Sequence, residues 1–200
     1  MAYLLSAVVA DATLLREQTA GLDHAVLATL RQEMALLPVT HLLVQELTGS
    51  LADFTVGDLS ARQPFRLVLT PPLTVVLAEW SRRGPVSYLE ATLDDEVGYQ
   101  SAVLWHHADL AWGPHFDDNF TAPRSDWPLN AALARLGVLP AERGDLFADV
   151  GLDVERDPDG WLAYGRRRLT PSYYDALADE WERQHGDGRS AAPPHARSRP

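Results

Sequence analysis

Short apolar runs, each closed by one or two cap or turn residues, set the pattern of the chain. Residues 2–9 (AYLLSAVV) form a near-continuous apolar run bounded by Asp11, the pattern of a buried strand. Asp11 is a good N-cap, so a helix follows over 12–20 and ends at Gly21. Residues 24–30 and 33–39 read as two short strands around Arg31–Gln32, with a helix across 23–37 as the competitor that Pro38 disfavours. Thr40 caps a helix over 41–47 that stops at Gly49. Residues 50–65 are a polar connection, and 65–69 (FRLVL) read as a short strand. Pro71–Pro72 open a helix over 73–82, stopped by Gly84.

The middle of the chain carries the clearest β signal. Residues 86–93 alternate and are rich in β-formers. An acidic turn, Asp94–Asp95–Glu96 with Gly98, leads into a strand over 99–106. His107–Ala108–Asp109 turn the chain, and a third strand over 110–112 ends at Gly113–Pro114. Residues 115–127 read as a loop. Pro128 and Gly137 bracket a helix over 129–136. Residues 140–160 are acidic and turn-rich. Pro171 opens a last helix over 172–184, with Tyr174, Leu177 and Trp181 on one face. The expected fold class is α+β: a mostly antiparallel sheet, with the meander of about 86–112 as its centre, covered by helices. A single domain is expected over 1–186, and a disordered tail over 187–200, which lacks apolar periodicity.

With 200 residues and 46% hydrophobic residues, the chain is long enough to build its core without disulfides. It has no cysteine, which removes thiolate chemistry and cysteine metal sites. No basic n-region precedes the first apolar run, so a cytoplasmic protein is expected, bound to no membrane. The chain has no lysine and no isoleucine, a usage that a high-GC bacterial genome explains. Its formal charge is -11, although the last twelve residues hold three arginines and no acid. Such a domain repels phosphate backbones, so no nucleic-acid partner is expected; a basic protein partner suits it, and so does plain solubility.

Candidate chemistry is sparse. His106, His107, Asp109, His115, Asp117 and Asp118 form the densest group of metal-ligand residue types. A metal-dependent enzyme using His106, Asp109 and His115 is therefore one reading. Against it, the spacing fits no mechanistic motif, and His106 and His107 point to opposite faces if both are in strand. No nucleophile elbow, phosphate-binding loop or lysine is present. No cofactor and no catalytic residue is expected. Arg166–Arg167–Arg168 is the only basic run; it reads as an anion site or as the partner of nearby acids. Among the tryptophans, Trp80 and Trp181 read as core, and Trp105 and Trp112 as a pair packed across one hairpin.

Residues 78–114, then PLNAALARLGV and DLFADVGL, resemble an uncharacterised family of high-GC actinobacterial α+β proteins. The resemblance rests on Gly98, Gln100, Ala102, Trp105 and Asn130, and implies no catalytic residue. The kind of protein is also similar to bacterial immunity proteins. The expected function is thus non-enzymatic protein binding, in the manner of an immunity protein that binds and blocks a basic toxin. Asp94, Asp95, Glu96, Asp117 and Asp118 are its expected contact residues. A structural subunit of a bacterial system is the remaining alternative.

Overall fold

The structure is a computed structural model that describes residues 3–49, 69–93, 98–141 and 144–169. Asp94, Asp95 and Glu96, all but the last residue of the expected strand over 65–69, the last helix with Trp181 and the tail lie outside the described residues. Contacts divide the chain into one unit of residues 1–166 and a second of residues 167–200.

Among the described residues, six strands form one antiparallel sheet in the order β2-β3-β1-β4-β5-β6. They are β1 (Tyr3–Asp11), β2 (Ala28–Thr29), β3 (Met34–Pro38), β4 (Val86–Leu93), β5 (Gly98–His106) and β6 (Asp109–Asp117). The helices are α1 (Ala12–Thr19), α2 (His41–Thr48), α3 (Pro71–Trp80), α4 (Pro128–Arg135), α5 (Leu146–Val150) and α6 (Pro158–Leu169). The α+β expectation therefore holds.

Helices cover both faces of the sheet. Leu14, Leu15, Leu43, Val44, Leu73, Leu77 and Trp80 of α1–α3 pack with Val8, Leu37, Val86 and Trp105 on one face. Leu129, Leu133, Val150 and Trp161 of α4–α6 pack with Leu5, Val9, Leu36 and Leu89 on the other. This explains the run in 2–9: β1 is interior, and a strand covered on both sides favours apolar residues at nearly every position rather than alternation, with Ser6 the polar exception.

Local signals positioned the first helices well. The Asp11 carboxylate accepts the backbone N–H groups of Thr13 (2.8 Å) and Leu14 (3.1 Å), which caps α1. Thr40 and Thr70 do the same for α2 and α3, accepting from Leu43 and Leu73. Gly49, at φ 66°, closes α2 in the left-handed conformation.

Three expectations need correction. The strand expected over 24–30 shortens to Ala28–Thr29. β6 does not end at Gly113–Pro114 but runs on to Asp117, because register shifts near Leu104 absorb that dipeptide as a bulge. The turn-rich stretch 140–160 contains α5 and the start of α6. Arg166–Arg167–Arg168 lie in the last turn of α6.

Candidate interaction surface

The two edges of the sheet are finished differently. At the β2 edge the Arg31 amide donates to the Val150 carbonyl (3.0 Å), and the Arg31 guanidinium donates to the Ala148 carbonyl (3.0 Å). A Cβ on Gly165 would stand 2.8 Å from the Leu27 carbonyl oxygen, so α6 lies directly against this edge. The β6 edge is exposed or half-exposed along its whole length, although β5 beside it is buried.

β5 and β6 are joined by a two-residue turn, His107 (φ 57°) and Ala108 (φ 66°). Consecutive left-handed residues match the twist of a tight hairpin. The conformation is costly for alanine, and Ser81 at the end of α3 secures it. Its carbonyl accepts the His107 amide (2.9 Å), and its hydroxyl accepts the Ala108 amide (3.0 Å). The left-handed step takes His107 out of the strand, so the opposite facing of two strand residues does not arise: the His106 and His107 rings stack at 3.8 Å.

Two extra residues in β6 then re-aim its side chains. Trp105 lies opposite Leu110, whereas Leu104 lies opposite Trp112, so Ala111 is bulged out. Ala102 lies opposite His115, and the second bulge falls at Gly113–Pro114. There Gly113 takes φ 86°, and an added Cβ would stand 2.7 Å from the Ala102 carbonyl oxygen, so only glycine fits. As a result Trp112 and His115 share the α4 face with ring centroids 4.3 Å apart. Arg135, from the last turn of α4, lies 4.4 Å over the Trp112 ring. The half-exposed indole is thus held by an imidazole and a guanidinium, a cation–π arrangement. Trp105 is buried on the opposite face, so the expected Trp105–Trp112 pair does not form.

The remaining candidate residues occupy different places. Asp109 pairs with His106 at the hairpin end. His115 lies opposite Ala102, four residues from His106 along β5 and so roughly 13 Å away, and shares no site with them. Among the described residues no group of three His, Cys, Asp or Glu side chains is placed to hold a metal ion. Asp117 ends β6, and its carboxylate accepts the backbone N–H groups of Asn119 (2.9 Å) and Phe120 (3.0 Å). Asp118 accepts from the Asn119 side chain (2.8 Å). Both carboxylates stand at the far end of β6 from Asp109. Arg82, hydrogen-bonded to Glu79 at 2.6 Å and also facing Asp109, is held above the usual arginine range.

Gln100 and Asn130, two of the five residues on which the resemblance rests, tie elements together. The Gln100 side-chain oxygen accepts the Leu129 amide (3.3 Å) at the start of α4. The Asn130 amide group donates to the Arg124 carbonyl (2.8 Å) and to Asp145 (2.9 Å), and its oxygen accepts the Phe147 amide (2.8 Å). It ties α4 to the turn before it and to α5.

Two groupings escaped the sequence reading. One is Arg135 over Trp112, which no spacing rule signals because the partners are 23 positions apart and meet only through the bulge. The other is a buried polar cluster on the α1–α3 face. Tyr99 donates to Glu90 (2.7 Å), Tyr88 donates to Glu90 (3.1 Å), and the Tyr88 and Ser6 hydroxyls are 2.8 Å apart. A lone acid between Leu89 and Ala91, two places after a tyrosine, was the available signal. Comparison with protein-family models, curated proteins and solved structures finds no match.

Proposed function

We propose that this chain is a non-enzymatic binding protein, of the kind that an immunity protein represents, and that it engages a basic protein through the surface built on β6. One observation carries the reading: Trp112, half-exposed on an edge strand, is held in place by Arg135 and His115. Tryptophan and arginine are the residues on which interface energy concentrates, and an indole fixed before binding loses little entropy on docking. The acidic groups at the two ends of the strand suit a basic partner, whose encounter they would speed.

The test is capture from the native host with the wild-type protein and with Trp112→Ala, followed by kinetics on the partner identified. Trp112→Ala is expected to cost about 2 kcal/mol or more of binding, mostly through faster dissociation. Two neutralising sets, Asp117→Asn with Asp118→Asn and Asp94→Asn with Asp95→Asn and Glu96→Gln, are expected to slow association at low salt and to matter little at high salt. A partner that binds the Trp112 variant as tightly as the wild type would place the interface elsewhere.

A further inference from the structure

The open edge of the sheet carries an inference that rests on the protein-binding reading and narrows it. Edge strands of monomeric proteins are commonly guarded by lysine, proline or bulges. β6 has its bulges and Pro114, but its charged guards are acidic: Asp109 at one end and Asp117 and Asp118 at the other. The bulge at Gly113–Pro114 bounds Asp109–Trp112 as the stretch next to the hairpin, which carries the other bulge at Ala111 and has Leu110 56% exposed. A two-residue hairpin closes on a hydrogen-bonded pair, here His106 and Asp109, so the backbone groups of the next residue, Leu110, face outward.

A second copy does not suit this edge. Antiparallel self-pairing about Gly113 would set Asp109 opposite the other chain's Asp117, twice, between molecules that each carry a charge of -11. An extended segment bearing arginine or lysine meets the same acids with the opposite sign. We propose that the Asp109–Trp112 edge of β6 receives a short, extended, basic segment of the partner as an added strand, with Leu110 on one face of the sheet and Trp112 on the other to meet its apolar side chains.

Three octapeptides test this on the intact protein. One alternates arginine and valine, the second is the same sequence N-methylated at every backbone amide, and the third has glutamate for arginine. The first is expected to shift the NMR signals of the Leu110 amide and the Trp112 indole N–H, with an affinity that falls as salt rises. N-methylation removes the backbone donors but keeps the charge, and is expected to weaken binding about tenfold or more. The glutamate peptide is expected not to bind. Asp109→Asn with Asp117→Asn, in which the asparagine oxygen at 117 can still cap its turn, is expected to weaken the arginine peptide several-fold. Equal binding of the methylated peptide, signals that shift elsewhere, or no binding of the first peptide would each overturn strand addition. If a natural partner is still lost on Trp112→Ala, the protein-binding reading survives that result and only the added strand falls.

Discussion

At the scale of single residues, the polar side chains inside this protein act as ties between elements. Asn130 is 4% exposed and serves three backbone or side-chain partners. Asn130→Ala leaves the Phe147 amide without its acceptor and is expected to cost about 2–3 kcal/mol, read by urea denaturation. A loss below about 0.5 kcal/mol would mean that water replaces the asparagine. Tyr3 is a second tie, its hydroxyl donating to the Leu152 carbonyl at 3.1 Å. Burial, with the charge of Asp153 added, pushes its hydroxyl above the ordinary tyrosine range. A raised folded-state value means that its contribution is fully present below about pH 10, the unfolded value, and is lost as pH rises through the folded one. Tyr3→Phe should therefore be less stable than wild type at neutral pH, with the gap closing above about pH 10. Melting curves of the two proteins that stay parallel from neutral to alkaline pH would contradict this.

At the scale of elements, the sequence was most legible where caps and apolar runs agree. Asp11, Thr40, Pro71 and Gly49 bound their helices as their chemistry suggests, and β1, β4 and β5 follow from β-forming runs. It was least legible where a special backbone is held by tertiary contact. Gly113–Pro114 reads as a stop, and only the pairing with β5 shows that the strand continues through it. α6 was hidden by its own glycines, Gly160 and Gly165, which lower helix propensity. Gly165 is there for space: an added Cβ would stand 2.7 Å from Val26 Cγ1 and 2.8 Å from the Leu27 carbonyl oxygen. Gly165→Ala is expected to destabilise by about 1–3 kcal/mol, although alanine is the better helix former. Stabilisation in a denaturant titration would show that α6 moves off β2 at no cost. Of the candidate surface, Asp117 and Asp118 were named from sequence, and Trp112 was marked without its neighbours. The Arg135–Trp112–His115 group depends on which face the bulges choose, and periodicity carries no signal for that.

At the scale of the whole molecule, charge and layering set the behaviour. With 28 acids against 17 bases, repulsion opposes the compact state, and salt should relieve it. The melting temperature is expected to rise by roughly 2–5 °C between 0.02 and 0.5 M sodium chloride. A fall would mean that local ion pairs such as Arg124–Asp145, at 2.6 Å, outweigh the repulsion. The layering has a consequence for synthesis. α1, α2 and α3 precede β4 and β5, and α4, α5 and α6 follow them, so the two faces are covered at different times. A nascent chain that has emerged as far as β6 can pair all six strands and seal one face, while Leu5, Val9, Leu36 and Leu89 on the other still await about fifty residues of chain. At ordinary synthesis rates that is several seconds of bare sheet outside the ribosome, and it is there, before any partner is met, that the protein most needs a chaperone.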